Sequence, residues 1–239
     1  MVTDKRPLRD NKLKFYEKKH VYKVGRTKLD SVTEFVHSFF SKFDAKKKAK
    51  ELAEVFKAKG IKAMSTQKYW LNSWKANAAH GTLVHRQVED FILQLQDRTL
   101  VEAKTMQALA YLDVQQYHSL HPEVRIYSED LRLAGTIDLI AIKGSEVTIV
   151  DWKTSKEIRT TEFVPNINPV TKGFADCNYT HYTLQLAVYA YILKKEYGMA
   201  IDRLHLVHLT EKKYVLYEID YNDTLEKQVE KMLKASKRM

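Results

Sequence analysis

One short stretch, from Leu133 to Lys153, most constrains how this chain can fold. Leu133–Ile142 and Val147–Lys153 are mainly apolar and rich in β-branched residues, and Lys143–Glu146 between them has the composition of a turn. This pattern predicts two antiparallel strands joined by a tight hairpin. If the loop holds two or four residues, Ile142 faces Val147 and Asp138 lies directly across from Asp151. An odd loop would move Asp138 off that face unless a β-bulge restored it.

The predicted hairpin brings three charged side chains together. Opposed side chains lie about 5 Å apart at Cβ, and Lys153 shares the face of Asp151 while Trp152 points away. Two carboxylates at that distance repel, so one would have to take up a proton. A divalent cation removes the conflict, and Mg²⁺ favours carboxylate, water and phosphate oxygens. The hairpin therefore predicts phosphate chemistry.

The length and composition favour one substantial soluble domain, residues 1–239. The chain is 44% hydrophobic and 29% charged, which is ordinary for a globular protein. Residues 1–13 are expected to form a loosely held basic arm. Residues 158–179 lose periodicity and carry Pro165, Pro169 and Gly173. A connection this long predicts either a lid near the site or an inert insertion.

The net charge and the cysteine content limit the kinds of binding partner and cellular compartment that this chain is expected to have. The formal net charge of +10 favours a polyanion, with nucleic acid ahead of an anionic membrane. The single cysteine, Cys177, excludes an internal disulfide or a four-cysteine cluster and favours a reducing intracellular compartment. No apolar run approaches the ~20 residues of a membrane span, and no secretion signal is recognisable.

Helices with basic or aromatic faces are predicted before the hairpin. Ser31 with Glu34 is typical of a capping box. The predicted helix Asp44–Gly60 lies in a segment, 42–62, with eight lysines against three acids. Those lysines form either a solvated face or a surface that follows phosphates. Ser65–Ala79 is predicted to be helical, and its Tyr69, Trp70 and Trp74 are either core residues or platforms for unpaired bases. A separate helix is expected to begin at Gly81.

Several single residues are candidates for the walls of the site. His85 and Glu89 are four apart on one helix face, and Gln185 and Tyr189 are four apart on another. Glu129, at the end of a predicted strand Val124–Glu129, is a third acid. For each of these residues a structural role is the alternative.

The ordered set of these residues resembles the PD-(D/E)XK nuclease superfamily, and within it the RecB-type exonucleases, which include phage exonucleases and the mitochondrial genome maintenance exonuclease. The resemblance covers roughly residues 20–217. Its elements follow in order along the chain: His20-x-Tyr22, Leu29–Thr33, Gly81-Thr82, His85-x-x-x-Glu89, Glu129, Gly135–Asp138, Asp151-Trp152-Lys153 and Gln185-x-x-x-Tyr189. It implies an α/β, restriction-endonuclease-like core, with a central mixed β-sheet flanked by helices.

The resemblance also implies a role for each site residue. Asp138 and Asp151 would bind one or two Mg²⁺ or Mn²⁺ ions, with the Trp152 carbonyl and His85 as further ligands. Lys153 would orient or activate the attacking water. Glu89 would support the helix face of His85, while Gln185 and Tyr189 would position the lysine and the DNA backbone. An iron–sulfur cluster is excluded within this chain, because it has only one cysteine.

The function expected from the sequence is a metal-dependent DNA exonuclease acting on single strands or ends, in replication, recombination or repair. A monomer is favoured. Two alternatives remain: a structure-specific or sequence-specific endonuclease of the same fold, and a catalytically silent DNA-binding module.

Overall fold

A mixed β-sheet forms the centre of the fold in the computed structural model, which describes residues 6, 8, 10–98, 101–162 and 165–238. Its strands are β1 Leu13–Tyr16, β2 Val21–Val24, β3 Thr27–Ser31, β4 Ser119–Ser128, β5 Leu133–Lys143, β6 Glu146–Lys153, β7 Arg203–Leu209 and β8 Tyr214–Ile219. They follow the order β1-β2-β3-β5-β6-β7-β8, and β4 pairs with β5. The predicted fold class, a mixed sheet flanked by helices, is confirmed.

Helices cover both faces of the sheet. They are α1 Val32–His37, α2 Ala45–Ala58, α3 Gln67–Ile92, α4 Ala103–Gln115, α5 Asn178–Ile192 and α6 Asp223–Ala235, and a π-helical turn, Leu193–Tyr197, extends α5. One large core cluster joins the sheet to α1, α5 and α6. A second joins the opposite face to α4 and the C-terminal half of α3. None of the helices within the described ranges is long and apolar enough to cross a membrane.

The central hairpin has the predicted register. Lys143 pairs with Glu146 across a two-residue turn, Ile142 faces Val147, and the pairing continues to Leu139 and Val150. Gly144 adopts a φ of +62° in this turn, a conformation that glycine reaches without steric cost. The regular ladder ends one pair before Asp138 and Asp151.

The predicted helix starts are partly confirmed. The Ser31 hydroxyl accepts a hydrogen bond from Glu34 N at 3.0 Å, and the Asp44 carboxylate caps α2 through Lys47 N at 2.9 Å. The predicted break before Gly81 is wrong, because α3 runs without interruption through that residue. Gly81 lies against the chain that leaves β6, where an added Cβ would meet Thr154 Oγ1 at 2.8 Å. Its small size thus serves helix–sheet packing.

The described part of the N-terminal segment is bound to the sheet, so the prediction of a loosely held arm is wrong there. The Arg6 guanidinium stacks 3.8 Å from the centre of the Tyr127 ring and donates to the Tyr127 carbonyl. Asp10 accepts a hydrogen bond from the Tyr127 hydroxyl at 2.6 Å. Residues 1–5, 7 and 9 of the predicted arm lie outside the described residues.

The long segment 158–179, predicted to form either a lid near the site or an inert insertion, contacts α6 and the turn after α1. Thr171 is fully buried and donates to the Phe39 carbonyl, and the Gln228 side chain of α6 donates to the Val170 carbonyl. Residues 163–164 of this segment lie outside the described residues. Ser155 and Lys156, which precede this segment, line the cleft described below.

Candidate active site

The candidate site lies where two strands part from the same edge of β5. Along its other edge, β5 pairs with β4 from Leu133 to Ile142. The remaining edge pairs with β3 at Leu133 and Ala134, and with β6 from Leu139 onward. Residues 135–138 therefore lie at the fork between β3 and β6. Such a fork leaves backbone and side-chain polar groups of β5 available for other contacts.

Asp138 at this fork contacts both β6 and α3. Its Oδ2 accepts a hydrogen bond from the Trp152 amide at 2.8 Å, and its Oδ1 lies 3.5 Å from His85 Nδ1. His85 Nε2 donates to the Trp152 carbonyl at 3.1 Å. Asp138, His85 and the Trp152 backbone, three groups predicted from the sequence to bind metal, thus lie together.

The opposite charges of His85 and Asp138 move their pKa values apart. Burial alone would lower the pKa of His85, but the Asp138 carboxylate raises it to about 9. Burial alone would raise the pKa of Asp138, but the His85 charge and the Trp152 amide bring it below its usual value. Without a cation, the site therefore holds an imidazolium beside a carboxylate.

Asp151 and Lys153 form a buried ion pair next to this group. Lys153 Nζ lies 2.6 Å from Asp151 Oδ2, and the two side chains are 18% and 5% exposed. The ammonium also lies 4.4 Å from the centre of the Tyr182 ring, a cation–π contact. Burial raises the pKa of Asp151 to about 6, the Lys153 charge opposes that rise, and the Asp138 carboxylate adds to it. The two acids predicted to share a site therefore influence each other's ionisation.

A third acid, Glu123, completes the cluster, and sequence reasoning missed it. Pro122 pairs with Leu139 and Val124 with Ile137, so Glu123 occupies the position opposite Asp138. Its φ of +49° interrupts the regular strand. Burial, followed by the Asp138 carboxylate, raises the pKa of Glu123 to about 7. The sequence could have indicated Glu123 if Pro122 had been placed inside the strand, since proline is tolerated in strands at the edge of a sheet. A strand that includes Pro122 brings Glu123 opposite Asp138.

Glu129, predicted as the third acid, does not reach the site. It is exposed in the turn between β4 and β5, where its carbonyl accepts a hydrogen bond from Arg132 N. The strand rise places the start of β5 at Leu133 about 16 Å from Asp138. The prediction was wrong because the antiparallel pairing of β4 with β5 puts Glu129 at their connecting turn and Glu123 opposite Asp138.

Gln185 and Tyr189 form a layer behind Asp151. Gln185 Nε2 lies 3.4 Å from both Asp151 Oδ1 and the Tyr189 hydroxyl. Tyr189 is 4% exposed and packs so closely on β5 that a Cβ at Gly135 would meet its Cε1 atom at 2.5 Å. Glycine at position 135 is therefore required by space. The predicted Gln–Tyr pair reaches Asp151, and its contact with the lysine runs through that carboxylate.

The donor set fits a divalent cation. His85, Glu123 and Asp138 each offer one ligand atom, and these three atoms lie within 4.8 Å of one another. Two carboxylate oxygens suit Mg²⁺, and adding an imidazole nitrogen suits Mn²⁺. Binding through His85 would require its proton to leave, since metal ligands are deprotonated.

The cluster opens onto a cleft. Two cavities of about 660 Å³ each adjoin at His85 and Thr154. One contains Glu123 and Asp138, together with the half-buried Glu89 predicted to support the helix face. The other contains Lys153 and Tyr182. A polymeric ligand therefore has room on both sides of the cluster.

Comparison with known families decides the assignment. A sequence profile described as the PD-(D/E)XK nuclease superfamily matches residues 12–238. The chain belongs to the PD-(D/E)XK nuclease superfamily. In this member, Asp151-Trp152-Lys153 fits the (D/E)XK part of the name, and Ile137-Asp138 has isoleucine in place of the proline. A search of curated proteins gave no match.

Solved structures similar to this PD-(D/E)XK protein are distant. A crystal structure of SSO0001 is 16% identical, covers 86% of this chain and 75% of its own, and has a TM-score of 0.34. A Eubacterium rectale protein that carries the name of an exonuclease is 12% identical, covers 87% of this chain and 77% of its own, and has a TM-score of 0.39. A phage-related exonuclease from Haemophilus somnus is 14% identical, covers 67% of this chain and 78% of its own, and has a TM-score of 0.31. Since none of these TM-scores reaches 0.5, the assignment depends on the sequence profile.

A second basic residue in the cleft also escaped sequence reasoning. Lys104, in the first turn of α4, donates to the Thr154 carbonyl at 2.9 Å and lies 3.8 Å from Glu211 Oε1. It lines the same cavity as Lys153. Lys104 therefore fixes the backbone just beyond the D-x-K segment of this PD-(D/E)XK protein. No local pattern marks it, because a lysine at a helix start is common on any surface.

Proposed function

We propose that this member of the superfamily is a metal-dependent DNA exonuclease that cuts phosphodiester bonds in single strands or at DNA ends. The observation that carries the proposal is the juxtaposition of the His85–Glu123–Asp138 donor set with the buried Asp151–Lys153 pair at an open cleft. The net charge of +10 supports a polyanionic substrate. The proposal treats the chain as one nuclease domain that acts as a monomer.

The proposed cofactor is Mg²⁺ or Mn²⁺, as one or two ions. His85, Glu123 and Asp138 would hold the cation, with Asp151 and the Trp152 carbonyl beside them. When bound, a divalent cation supplies Lewis-acid stabilisation of phosphoryl charge and a water of lowered pKa. In the cation-free protein, the His85 imidazolium provides the charge that balances Asp138.

Lys153 is the residue proposed to act directly on the reacting groups. Its ammonium is fixed between the Asp151 carboxylate and the Tyr182 ring, so little conformational entropy remains to be lost on binding substrate. The neighbouring acids hold the pKa of Lys153 above its usual value although burial opposes them. A lysine kept protonated in this way donates hydrogen bonds to a phosphate oxygen or to the attacking water, and it stabilises the charge that develops on the phosphate.

The test is degradation of end-labelled linear DNA with Mg²⁺ or Mn²⁺ by the wild type, Asp151→Asn and Lys153→Ala. Each substitution should slow hydrolysis by roughly 10²- to 10⁴-fold, the range for removing an acid–base or electrostatic group. Asp220→Asn and Lys227→Ala, at exposed positions outside the cleft, are the matched controls and should degrade DNA like the wild type. Equal degradation by all five proteins would refute the proposal.

Circular single-stranded DNA separates the modes of attack. An exonuclease leaves the circle intact while it degrades the same strand once linearised. Cleavage of the circle would instead favour the endonuclease alternative. If the wild type degrades neither substrate and calorimetry shows no Mn²⁺ binding, the catalytically silent DNA-binding module is the better description.

A further inference from the structure

Two helices beside the cleft form an arm, residues 42–79, that projects from the sheet. It consists of α2 and the N-terminal half of α3, joined by the turn Lys62–Met64. Residues 75–79 of α3 are all exposed, so at this level no face of the helix is buried. Further along, Val84 and Val88 of the same helix are buried in the core. The arm is thus anchored at one end, and within it α2 packs on α3, with Ala49 and Ala53 buried.

Aromatic side chains form a connected row on the arm. The Phe43 and Trp74 rings lie 5.7 Å apart at 62°, and the Trp70 and Trp74 rings lie 6.5 Å apart. Trp70 donates its indole N–H to the Met64 carbonyl and packs on Phe56, which indicates a structural role. Phe43 is 71% exposed, far more than a core aromatic would be. Phe43 therefore presents most of its ring to solvent, and Trp74 beside it is half-buried and keeps part of its ring exposed.

The arm also concentrates the positive charge of the chain. Residues 42–75 contain ten lysines against three acids, which accounts for seven of the ten net charges. Aromatic rings that are at least partly exposed beside many lysines match the chemistry of an unpaired nucleic acid strand, whose bases stack on rings and whose phosphates attract ammonium groups. A second protein chain would have to bury this charge, which makes it a poorer occupant.

Helical spacing connects the aromatic row to the site. Asn77, Ala78, Gly81 and His85 follow Trp74 at three, four, seven and eleven residues, so all five lie on one face of α3. Asn77, Ala78 and His85 line both cavities of the cleft. At 1.5 Å per residue, Trp74 lies about 16 Å along the helix from His85. A continuous surface therefore leads from the rings to the metal-ligand candidate.

We propose that the arm binds an unpaired DNA strand, stacks its bases on Phe43 and Trp74, and directs it along this face of α3 into the cleft. The inference rests on the proposed function and specifies its substrate, a strand whose bases are free to stack. A blunt duplex keeps its bases paired and gains only the contacts of its phosphates with the lysines.

The test is equilibrium binding of a short fluorescent oligothymidylate in EDTA, where hydrolysis needing a divalent cation cannot occur. Phe43→Ala and Trp74→Ala should each weaken binding roughly 5- to 150-fold, the range for loss of one stacked base. Trp74→Phe should retain most of the affinity. Leu95→Ala is the control, since Leu95 is an apolar residue, 72% exposed, just beyond the other end of α3. Thermal melts confirm that each variant is folded.

Two further measurements make the test selective. The affinity for a blunt duplex should change less than twofold in the ring variants. Added salt should weaken the binding of both the oligothymidylate and the duplex. The oligonucleotide should also quench tryptophan fluorescence. This change would come from Trp70 and Trp74 of the arm, because the third tryptophan, Trp152, is only 2% exposed. Unchanged oligothymidylate binding by the ring variants would overturn the inference, as would a parallel loss of duplex binding.

The outcome is separable from that of the proposed function. If wild-type protein cleaves linear DNA while the ring variants bind normally, the arm inference fails and the nuclease proposal stands. If the ring variants lose binding while wild-type protein cleaves no substrate, the nuclease proposal fails and the arm remains a single-strand binding surface.

Discussion

Replacing Glu123 by glutamine should stabilise the cation-free protein at high pH and leave its stability at low pH nearly unchanged. The pKa of Glu123 is raised from 4.5 to about 7 by burial and by Asp138. A carboxyl with a higher pKa in the folded than in the unfolded protein favours folding when protonated. That contribution is complete below pH 4.5 and is lost as the pH rises through 7.

The size of the effect follows from the width of this interval. Each pKa unit corresponds to about 1.4 kcal/mol, so ionised Glu123 costs up to about 3 kcal/mol at pH 8. Glutamine stays neutral at every pH and removes that cost. For a chain of this length, 1 kcal/mol shifts the melting temperature by about 2–4 °C, which predicts a gain of roughly 6–12 °C at pH 8.

The assay is thermal unfolding in EDTA at pH 5 and pH 8. Glu129→Gln is the matched control, because it makes the same chemical change at an exposed turn. It should alter neither melting temperature. Mn²⁺ should reverse the order at pH 8, since the wild type then gains the binding energy of the complete donor set. An equal shift of Glu123→Gln at both pH values, or no shift, would refute the electrostatic reasoning.

Three other predictions follow from the site. Gly135→Ala should destabilise the protein by about 1–3 kcal/mol in urea unfolding, because its Cβ would lie 2.5 Å from a Tyr189 ring carbon; unchanged stability would contradict this packing. Mn²⁺ affinity measured by calorimetry should rise by up to about tenfold per pH unit between pH 7.5 and pH 8.5, where Glu123 is already ionised and His85 must still release its proton; a flat profile there would remove His85 from the donor set. Gln185→Leu should lower nuclease activity about 10- to 100-fold in the end-label assay without unfolding the protein, because Asp151 loses a supporting amide. Wild-type activity in that variant would exclude the supporting role.

The sequence predicted the central hairpin and two helix starts because local rules control these features. A glycine turn between two β-branched runs determines the register of Ile142 and Val147, whatever the rest of the chain does. The capping hydroxyl of Ser31 likewise acts within three residues. From the hairpin alone, the approach of Asp138 to Asp151 could be anticipated before any tertiary contact was known.

The features that could not be predicted depend on distant contacts. Gly81 suggested the start of a helix, but its lack of a side chain accommodates Thr154, more than seventy residues later. Glu123 reaches Asp138 only because the strand extends back through Pro122, beyond the start of the predicted strand at Val124. Lys104 enters the cleft by the packing of α4, and no spacing in the sequence records that.

The uninterrupted course of α3 has a consequence for the products of digestion. Trp74 and His85 belong to one rigid rod, so the distance between the proposed stacking surface and the scissile phosphate cannot adjust to shorter strands. A strand that still spans the roughly 16 Å between them would be retained for another cut, whereas a shorter remnant would lose its contact with the rings. The helix would then act as a ruler, and digestion would end in remnants of a few nucleotides instead of continuing to mononucleotides.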